Sequence, residues 1–463
     1  MNMKSKSLRR SVAILATMAM PISALSAGVL GSAANAASVP GVTSKTITIG
    51  ATVPLSGIAN SYGEVSAAAA AVFKYVNATH GGVNGRKINF LRVDDCYNLY
   101  GLDPTCTAGK TTMQATTSLL GTSGGLFATV GSLGTSAQTG VQSYLKAQNV
   151  PQLFVNSGDN AFNKPTSQPN TFGFQTSYTS EAKIFGAYIK KTWPTAKVAF
   201  LGQGDFGPQG LAGLQQAGIK VTNNTNIYTG DCYYNPLDAF SQSTADIQAD
   251  IRADKAAGAT VVVLDTIPAF TSAVLQFAHS LGYSPHWVIS SVGADPISVA
   301  NVAEVGAVTL DEFPSTSDSA NVWNVWLRKV LAADPADFPG FNANTHLDAN
   351  EQYGAGYAVA FIEALSTLKT AASVTPANLV EALSTTAFAT PGLLPLKYTN
   401  TGATANHQGF QGGMIGTIAA NGGNVPWTIS EPAGSLAYST TDAKTGTVAT
   451  AKPVIYAIPT YVK

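Results

Sequence analysis

The sequence predicts an α/β protein of two doubly wound parallel-sheet lobes that face each other across a cleft. Three observations predict it. Short apolar runs of strand character alternate with stretches of helical period. A Pro-, Asn-, Ser- and Thr-rich stretch between Asn160 and Tyr178 interrupts the series, which then begins again. The second series also repeats a local pattern of the first. Strand, helix and strand in succession imply a parallel sheet with helices on its faces, because the return connection has to cross the sheet.

The first series opens on Thr46 to Val53, which alternates and stops at Pro54-Leu55-Ser56-Gly57, a turn. Val65, Ala69, Val72, Phe73 and Val76 then recur at helical spacing in an Ala-rich stretch from Val65 to Asn77. Gly81-Gly82-Val83-Asn84-Gly85 turns the chain into a second strand, Lys87 to Val93, ending at Asp94-Asp95. Leu126 to Val130 is a third strand; it ends in Gly131-Ser132-Leu133-Gly134-Thr135-Ser136, ahead of a helical stretch from Ala137 to Lys146. Val150 to Val155 is a fourth, ending at Asn156-Ser157-Gly158. Ligands of open parallel sheets bind beyond the carboxyl ends of the strands, so two hydroxyl-rich clusters on neighbouring strands predict one crevice. Ser132, Thr135, Ser136, Ser157 and Gly158 are its candidate residues. Hydroxyls and N–H groups at a helix N-terminus hold a small carboxylate without a buried cation. The plainer role for Thr135 or Ser136 is a helix N-cap.

The second series runs through a strand at Lys197 to Leu201, a helix at Gly207 to Ala217 and the start of a strand at Ile219 to Val221. Thr260 to Leu264 and Trp287 to Ser290 read as buried strands around a helix at Thr271 to Leu281. Asp95-Cys96-Tyr97-Asn98 ahead of Leu102-Asp103 is echoed by Asp231-Cys232-Tyr233-Tyr234 ahead of Leu237-Asp238, which supports an internal repeat. After Val292 the chain reads as helical, through Trp323 to Val330 and Tyr353 to Phe361. Beyond Pro391 it is Gly-rich and strand-like through Phe410, Met414 and Ile418; from Ser430 onward no period is clear until Val454 to Ile458.

The N-terminus sets the compartment. Lys4, Lys6, Arg9 and Arg10, an apolar zone from Val12 to Leu30 and Ala34-Asn35-Ala36 have the order of a signal peptide cleaved near Ala36. No Cys follows the cleavage point to carry a lipid (there is no lipobox), so the mature chain is expected to be periplasmic or secreted. The remaining 427 of 463 residues suffice for two domains. Charged residues make up 11%, well below the ~25% of average soluble proteins, and 26 basic residues balance 26 acidic ones. With no basic run after the leader, nucleic acid is excluded as a partner, as is anionic lipid. Three cysteines in an exported chain allow one disulfide and leave one thiol. Cys96 and Cys106 are favoured because Gly101 and Pro104 let the loop between them close, although spacing alone does not establish the pair; Cys232 is then the free thiol, a reactive or metal-binding cysteine or, the favoured reading with no Cys or His at ligand spacing, a buried small hydrophobe.

One motif is enzyme-like. Gly202-Gln203-Gly204-Asp205-Phe206-Gly207 is a GxGxxG between a strand and a helix. The carboxylate a dinucleotide fold would carry about 20 residues on is missing, since Val221-Thr222-Asn223-Asn224 stands there. Asp205 and Phe206 enter the candidate ligand set from this turn. No HExxH, CxxC or P-loop occurs; His80, His346 and His407 lie in polar turns and read as solvated.

Val53-Pro54-Leu55-Ser56-Gly57, Tyr62-Gly63 before the Ala-rich helix, Gly81 to Ile88, Asp94-Asp95 and Val130-Gly131-Ser132 together resemble the leucine/isoleucine/valine-binding proteins, and Gly409-Phe410-Gln411-Gly412 resembles a segment near that family's C-terminus. The resemblance covers Lys45 to Thr428. It implies the type I periplasmic binding fold with three crossings between lobes: residues 45–172 plus 293–386 in lobe I, 173–292 plus 387–429 in lobe II, and a tail at 430–463 of no assigned role. It also implies that Tyr62 is the aromatic at the cleft mouth, that Thr135 takes the ligand carboxylate, that Gly158 and Asn160 contribute from the next strand, and that Tyr357, or Tyr353 one turn earlier, reaches in from the late helix. Where that family has an acidic partner for the ligand ammonium this chain has Val292, and where it has a second-lobe aromatic, Ile267. Asp205, Asp265 or Asp295 would have to replace the charge. The family's disulfide partner position is Gly134 here, so a bridge has to be rewired, which fits Cys96 with Cys106.

The expected function is therefore solute binding for an ABC importer, not catalysis. A monomer encloses a small polar ligand, an amino acid or a related carboxylate or amide, by hinge closure, without a cofactor, and an ABC transporter permease reads the closed form. The rivals are a nucleotide- or NAD-binding enzyme using Gly202 to Gly207, and a sensor module that presents its ligand to a receptor.

Overall fold

The computed structural model describes residues 38–463 apart from 108, 205, 228–235, 295–305, 403–404, 421–426, 431–436 and 441–447. The expected leader, Asp205, Cys232, Asp295 and the second copy of the Asp-Cys-Tyr repeat lie outside the described residues.

In chain order, the first group of elements is β1 (Thr46–Val53), α1 (Gly63–His80), β2 (Lys87–Asp94), α2 (Thr112–Leu120), β3 (Ala128–Val130), α3 (Thr135–Ala147), β4 (Gln152–Val155) and β5 (Thr171–Gly173). The second is α4 (Tyr178–Thr192), β6 (Val198–Gln203), α5 (Gly207–Gln216), β7 (Val221–Ile227), α6 (Pro236–Ala257), β8 (Val261–Asp265), α7 (Pro268–Ser280), β9 (His286–Ile289) and β10 (Val308–Asp311). There follow α8 (Val322–Ala332), α9 (Ala349–Ser366), α10 (Pro376–Thr385), β11 (Met414–Ala420), β12 (Trp427–Ser430), β13 (Ala437–Thr440) and β14 (Val448–Ala451).

The first sheet is parallel throughout, in the order β2-β1-β3-β4-β5. The second runs β7-β6-β8-β9-β10 in parallel, the same winding with its own first strand second from the edge, and β11 to β14 extend it antiparallel. This is the two-lobed α/β architecture expected. In β8, Val261 and Val263 face one apolar cluster and Val262 and Leu264 the other, so successive side chains bury on opposite faces. A strand covered on both faces reads as an unbroken apolar run. In the first lobe α1 buries Val65, Val72, Phe73 and Val76 against α9, where Tyr357, Val359 and Phe361 are inaccessible to solvent, and α8 joins the same core. Helix entries are fixed by side chains: Thr111 and Asp348 each close a capping box with Gln114 and Glu351.

Three details depart from the sequence reading. The Asn160 to Tyr178 stretch holds β5, the edge strand of the first sheet, before it crosses at 174–177. β10 lies within 293–386, expected in lobe I, yet pairs with β9 in the second sheet; the chain returns to the first lobe only after it, at 312–321. A third crossing, 386–413, leads from α10 to β11. The crossings are joined: Phe410 N donates to Phe174 O (3.0 Å), Leu393 N to Glu312 O (2.7 Å), and the Phe174 ring meets Phe410 at 5.3 Å. His407 is here too and is buried, not solvated. It stacks on Phe172 at 3.8 Å with Nδ1 2.9 Å from Thr171 O, and burial pushes its pKa down to about 4.

The tail also has a place. From β14 in the second sheet, residues 452–463 return to the first lobe. Trp323 and Trp326 of α8 donate from Nε1 to Tyr456 O (2.8 Å) and Val462 O (3.1 Å), Tyr461 OH donates to Glu363 Oε1 (3.2 Å), and Val462 is fully buried.

Candidate functional site

A cavity of about 100 Å³ lies where the carboxyl ends of both sheets' strands meet. The first lobe contributes Tyr62 after β1, Tyr97 after β2, Leu133 to Thr135 after β3, Asn156 after β4 and Gln175 after β5. The second contributes Ser291, Val292 and Ala294 after β9, and Leu310 to Phe313 at the end of β10; Tyr178 opens α4, and Ala349, Asn350 and Tyr353 belong to α9. Parallel strands all present their carboxyl ends on one side, so two such sheets facing each other make the cavity without any dedicated loop. Across it, Tyr62 OH donates to Val292 O at 3.2 Å.

On the first-lobe wall Thr135 Oγ1 and Ser157 Oγ are 2.7 Å apart and buried, Ser157 Oγ accepts from Asp159 N (3.1 Å), and it lies 3.3 Å from Tyr178 OH. α3 starts at Thr135 with Gly134 as N-cap and no side-chain cap. Its positive end therefore lies at the cavity. Beneath, Gly131 has φ +72°, and a Cβ on it would sit 2.3 Å from the Tyr357 ring. Tyr97 is carried by three consecutive left-handed residues, Cys96 (φ 49°), Tyr97 (φ 56°) and Asn98 (φ 61°). Residues other than glycine rarely adopt this backbone. The buried Asp95 accepts from Tyr97 N (3.0 Å) and Thr112 Oγ1 (2.9 Å), and Cys96 is bonded to Cys106 with Cα atoms 5.8 Å apart.

Of the residues singled out in the sequence, Tyr62 and Thr135 line the cavity and Ser157 stands directly behind Thr135. Ser132 is engaged elsewhere, its hydroxyl accepting from Thr52 N (3.1 Å), and Ser136 is not on the lining. Gly158 lies against the Tyr178 ring; Asn160 is taken up by Gln209 and Thr179, bridging to α5 and α4. Tyr357 is wholly in the core, and Tyr353, one turn earlier, is the α9 tyrosine on the lining. Phe206 is buried against Tyr178 at 5.0 Å between ring centroids, and Asp265 is buried at the end of β8. Neither reaches the cavity, because the second sheet offers it β9 and β10 and not its β6/β8 switch point. The GxGxxG turn lies at that switch point. A Cβ on Gly210 in the first turns of α5 would sit 1.9 Å from Asp265 Oδ2, so the Asp265 carboxyl packs against this helix through a glycine.

The sequence reading missed Tyr97, Asn156, Gln175 and Tyr178 on the lining, and with them its two acidic residues. Asp311 and Glu312 line the cavity, and among the described residues no Lys or Arg does. Glu312, on the second crossing, accepts from Thr176 N on the first; burial raises its pKa to about 7, against the hydrogen bond that lowers it. Behind the lining Glu181 accepts from Ser291 N (2.7 Å) and is pushed to about 8, first by burial and then by the nearby Glu312. The signal for Glu312 was present: Ala307-Val308-Thr309-Leu310 has strand character and ends in two acidic residues, Asp311-Glu312, as the strand before Asp94-Asp95 does. Among the described residues no three His, Cys, Asp or Glu are grouped to hold a metal, and no helix is long and apolar enough to cross a membrane.

The sequence profile of the periplasmic binding protein family matches residues 46–423. Solved structures of the same fold include a fatty acid ABC transporter substrate-binding protein from Thermomonospora curvata (19% identity, 85% of this chain and 93% of that one, TM-score 0.65). They also include a branched chain amino acid ABC transporter protein from Thermus thermophilus with bound valine (17%, 84% and 97%, 0.64) and a solute binding protein from Rhodopseudomonas palustris BisB5 with 3,4-dihydroxy benzoic acid (15%, 83% and 96%, 0.61). Comparison with curated protein sequences gives no match. At such identities the structural likeness carries the fold alone, but with the profile spanning most of the sequence the chain belongs to the periplasmic binding protein family.

Proposed function

We propose that the chain is the extracytoplasmic solute-binding protein of an ABC importer, and that it encloses a small polar solute between its lobes. The observation that carries this is the cavity at the facing strand ends, bridged by Tyr62 OH and Val292 O. A ligand there touches both lobes only when they are closed. Its differential affinity for the closed form is all that drives closure, and a permease then reads that form. Tyr62, Thr135 with Ser157 behind it, Asn156, Tyr353 and Glu312 are the contacts we assign, and no cofactor takes part. We divide the lobes as the sequence suggests, but assign β10 and the tail strands β13 and β14 to the second lobe, whose sheet they join. The mature chain begins near Ala37 and is periplasmic or secreted. It acts as a monomer and is not an enzyme.

The test is a thermal-shift titration of the chain from Ala37 onward against amino acids, their deaminated acids, amides and nucleotides, followed by calorimetry on each hit. A ligand at 100 times its Kd stabilises the fold by about 2.7 kcal/mol. A saturable shift from one small solute supports the reading; stabilisation by nucleotides or NAD(P) alone overturns it.

A further inference from the structure

We infer that Glu312 is the anchor for a positively charged nitrogen on the ligand, placed on the hinge in the absence of any acidic residue at Val292. This rests on the solute-binding reading and names the chemistry of that site. The cavity wall carries two carboxyls, Asp311 and Glu312, and among the described residues neither Lys nor Arg. Tyr62, Tyr97, Tyr178, Phe313 and Tyr353 surround them, and aromatic faces attract cations. At the opposite side the uncapped start of α3 and the Thr135–Ser157 hydroxyl pair suit a carboxylate. An ammonium group therefore faces the crossings and any carboxylate faces α3. Glu312 bridges two crossings through Thr176 N, so engaging it couples the ligand's charge to the hinge itself. Burial keeps the ligand-free carboxyl protonated near neutrality, against the hydrogen bond from Thr176 N; an arriving ammonium displaces that proton to solvent.

Matched probes separate this from the broader reading: L-leucine, 4-methylpentanoate and 3-methylbutylamine, and L-phenylalanine, 3-phenylpropanoate and phenethylamine, alongside the amides and nucleotides above. Amine-bearing probes are expected to bind, with the deaminated acids weaker by roughly 10- to 100-fold. E312Q is expected to lose a similar factor for the amines alone. At pH 6 the enthalpy of amine binding should vary with the buffer's ionisation enthalpy in the wild type and not in E312Q. A saturable response confined to amine-free compounds, or amine binding untouched by E312Q, overturns the anchor and leaves solute binding standing. No saturable response to any probe tells against both.

A different observation carries a second inference: residues 452–463 are a strap that limits how far the lobes open. β14 fixes its start in the second sheet, and the indoles of Trp323 and Trp326 and the buried Val462 fix its end on the first lobe. Small-angle scattering of the ligand-free chain tests it. Truncation after Ala451, and separately insertion of ten Gly/Ser residues between Ala451 and Lys452, should each raise the radius of gyration; the insertion keeps both anchors and so controls for lost packing. An insertion variant as compact as the wild type overturns the strap.

Discussion

Replacing Glu312 by Gln should stabilise the protein, and only at neutral and alkaline pH. Burial raises the pKa of this carboxyl from 4.5 to about 7. The folded protein therefore holds a proton that the unfolded chain has released, and stability falls as pH rises from about 4.5 to about 7. At about 1.4 kcal/mol for each tenfold change in acidity, the loss is about 3 kcal/mol, complete above the folded pKa. The amide in E312Q keeps an oxygen for Thr176 N but has no proton to lose, so the variant should gain roughly 2–3 kcal/mol over wild type at pH 8 and differ by under about 1 kcal/mol at pH 4.5. Urea unfolding at pH 4.5, 6 and 8 with unchanged slopes measures this. A difference that does not vary with pH, or a variant less stable at pH 8, would show that the carboxyl is solvated or compensated and that the reasoning fails.

Tyr62→Phe removes the hydroxyl that spans the cleft to Val292 O, which costs the closed form about 1 kcal/mol; the ligand-free variant should scatter as a more open molecule, and affinity for an enclosed ligand should fall about fivefold. Gly131→Ala puts a methyl group 2.3 Å from the Tyr357 ring on a left-handed backbone, and urea unfolding should show a loss of about 2–4 kcal/mol. Reducing the Cys96–Cys106 bond, which closes a ten-residue loop, should lower stability by about 2–3 kcal/mol, read from unfolding with and without dithiothreitol.

The first lobe was legible in the sequence because its strands are flanked by Gly and Ser turns and its long helix buries one Ala-rich face; both signals are local. β10 was passed over because the chain after Val292 was read as helical; Val308–Asp311 is no shorter than β4 or β9, but its place in the second sheet rests on pairing with β9 and β11, which is not local. Missing it hid Glu312 and led the search for an acidic group to Asp205, Asp265 and Asp295. Tyr357 and Tyr353 share a helix face pattern, and which of them reaches the cavity depends on how deep α9 sits against Gly131, a tertiary fact. His407 looked solvated from its Asn- and Gly-rich neighbours because nothing local shows that Phe172 closes over it. Val454 to Ile458 carries a period yet forms no strand, because indole donors hold the last twelve residues and not a ladder of backbone bonds.

The left-handed turn at Cys96–Asn98 ties ligand capture to redox compartment. Each such residue is about 1–2 kcal/mol above its relaxed conformation, and the disulfide is the covalent restraint on the turn, beside hydrogen bonds to Asp94, Asp95 and Thr112. In a reducing cytoplasm the bond does not persist, which removes the covalent restraint on the turn that carries Tyr97. If the chain is exported as proposed, oxidation outside the cytoplasm would tighten the Tyr97 wall only in the compartment where the solute is collected.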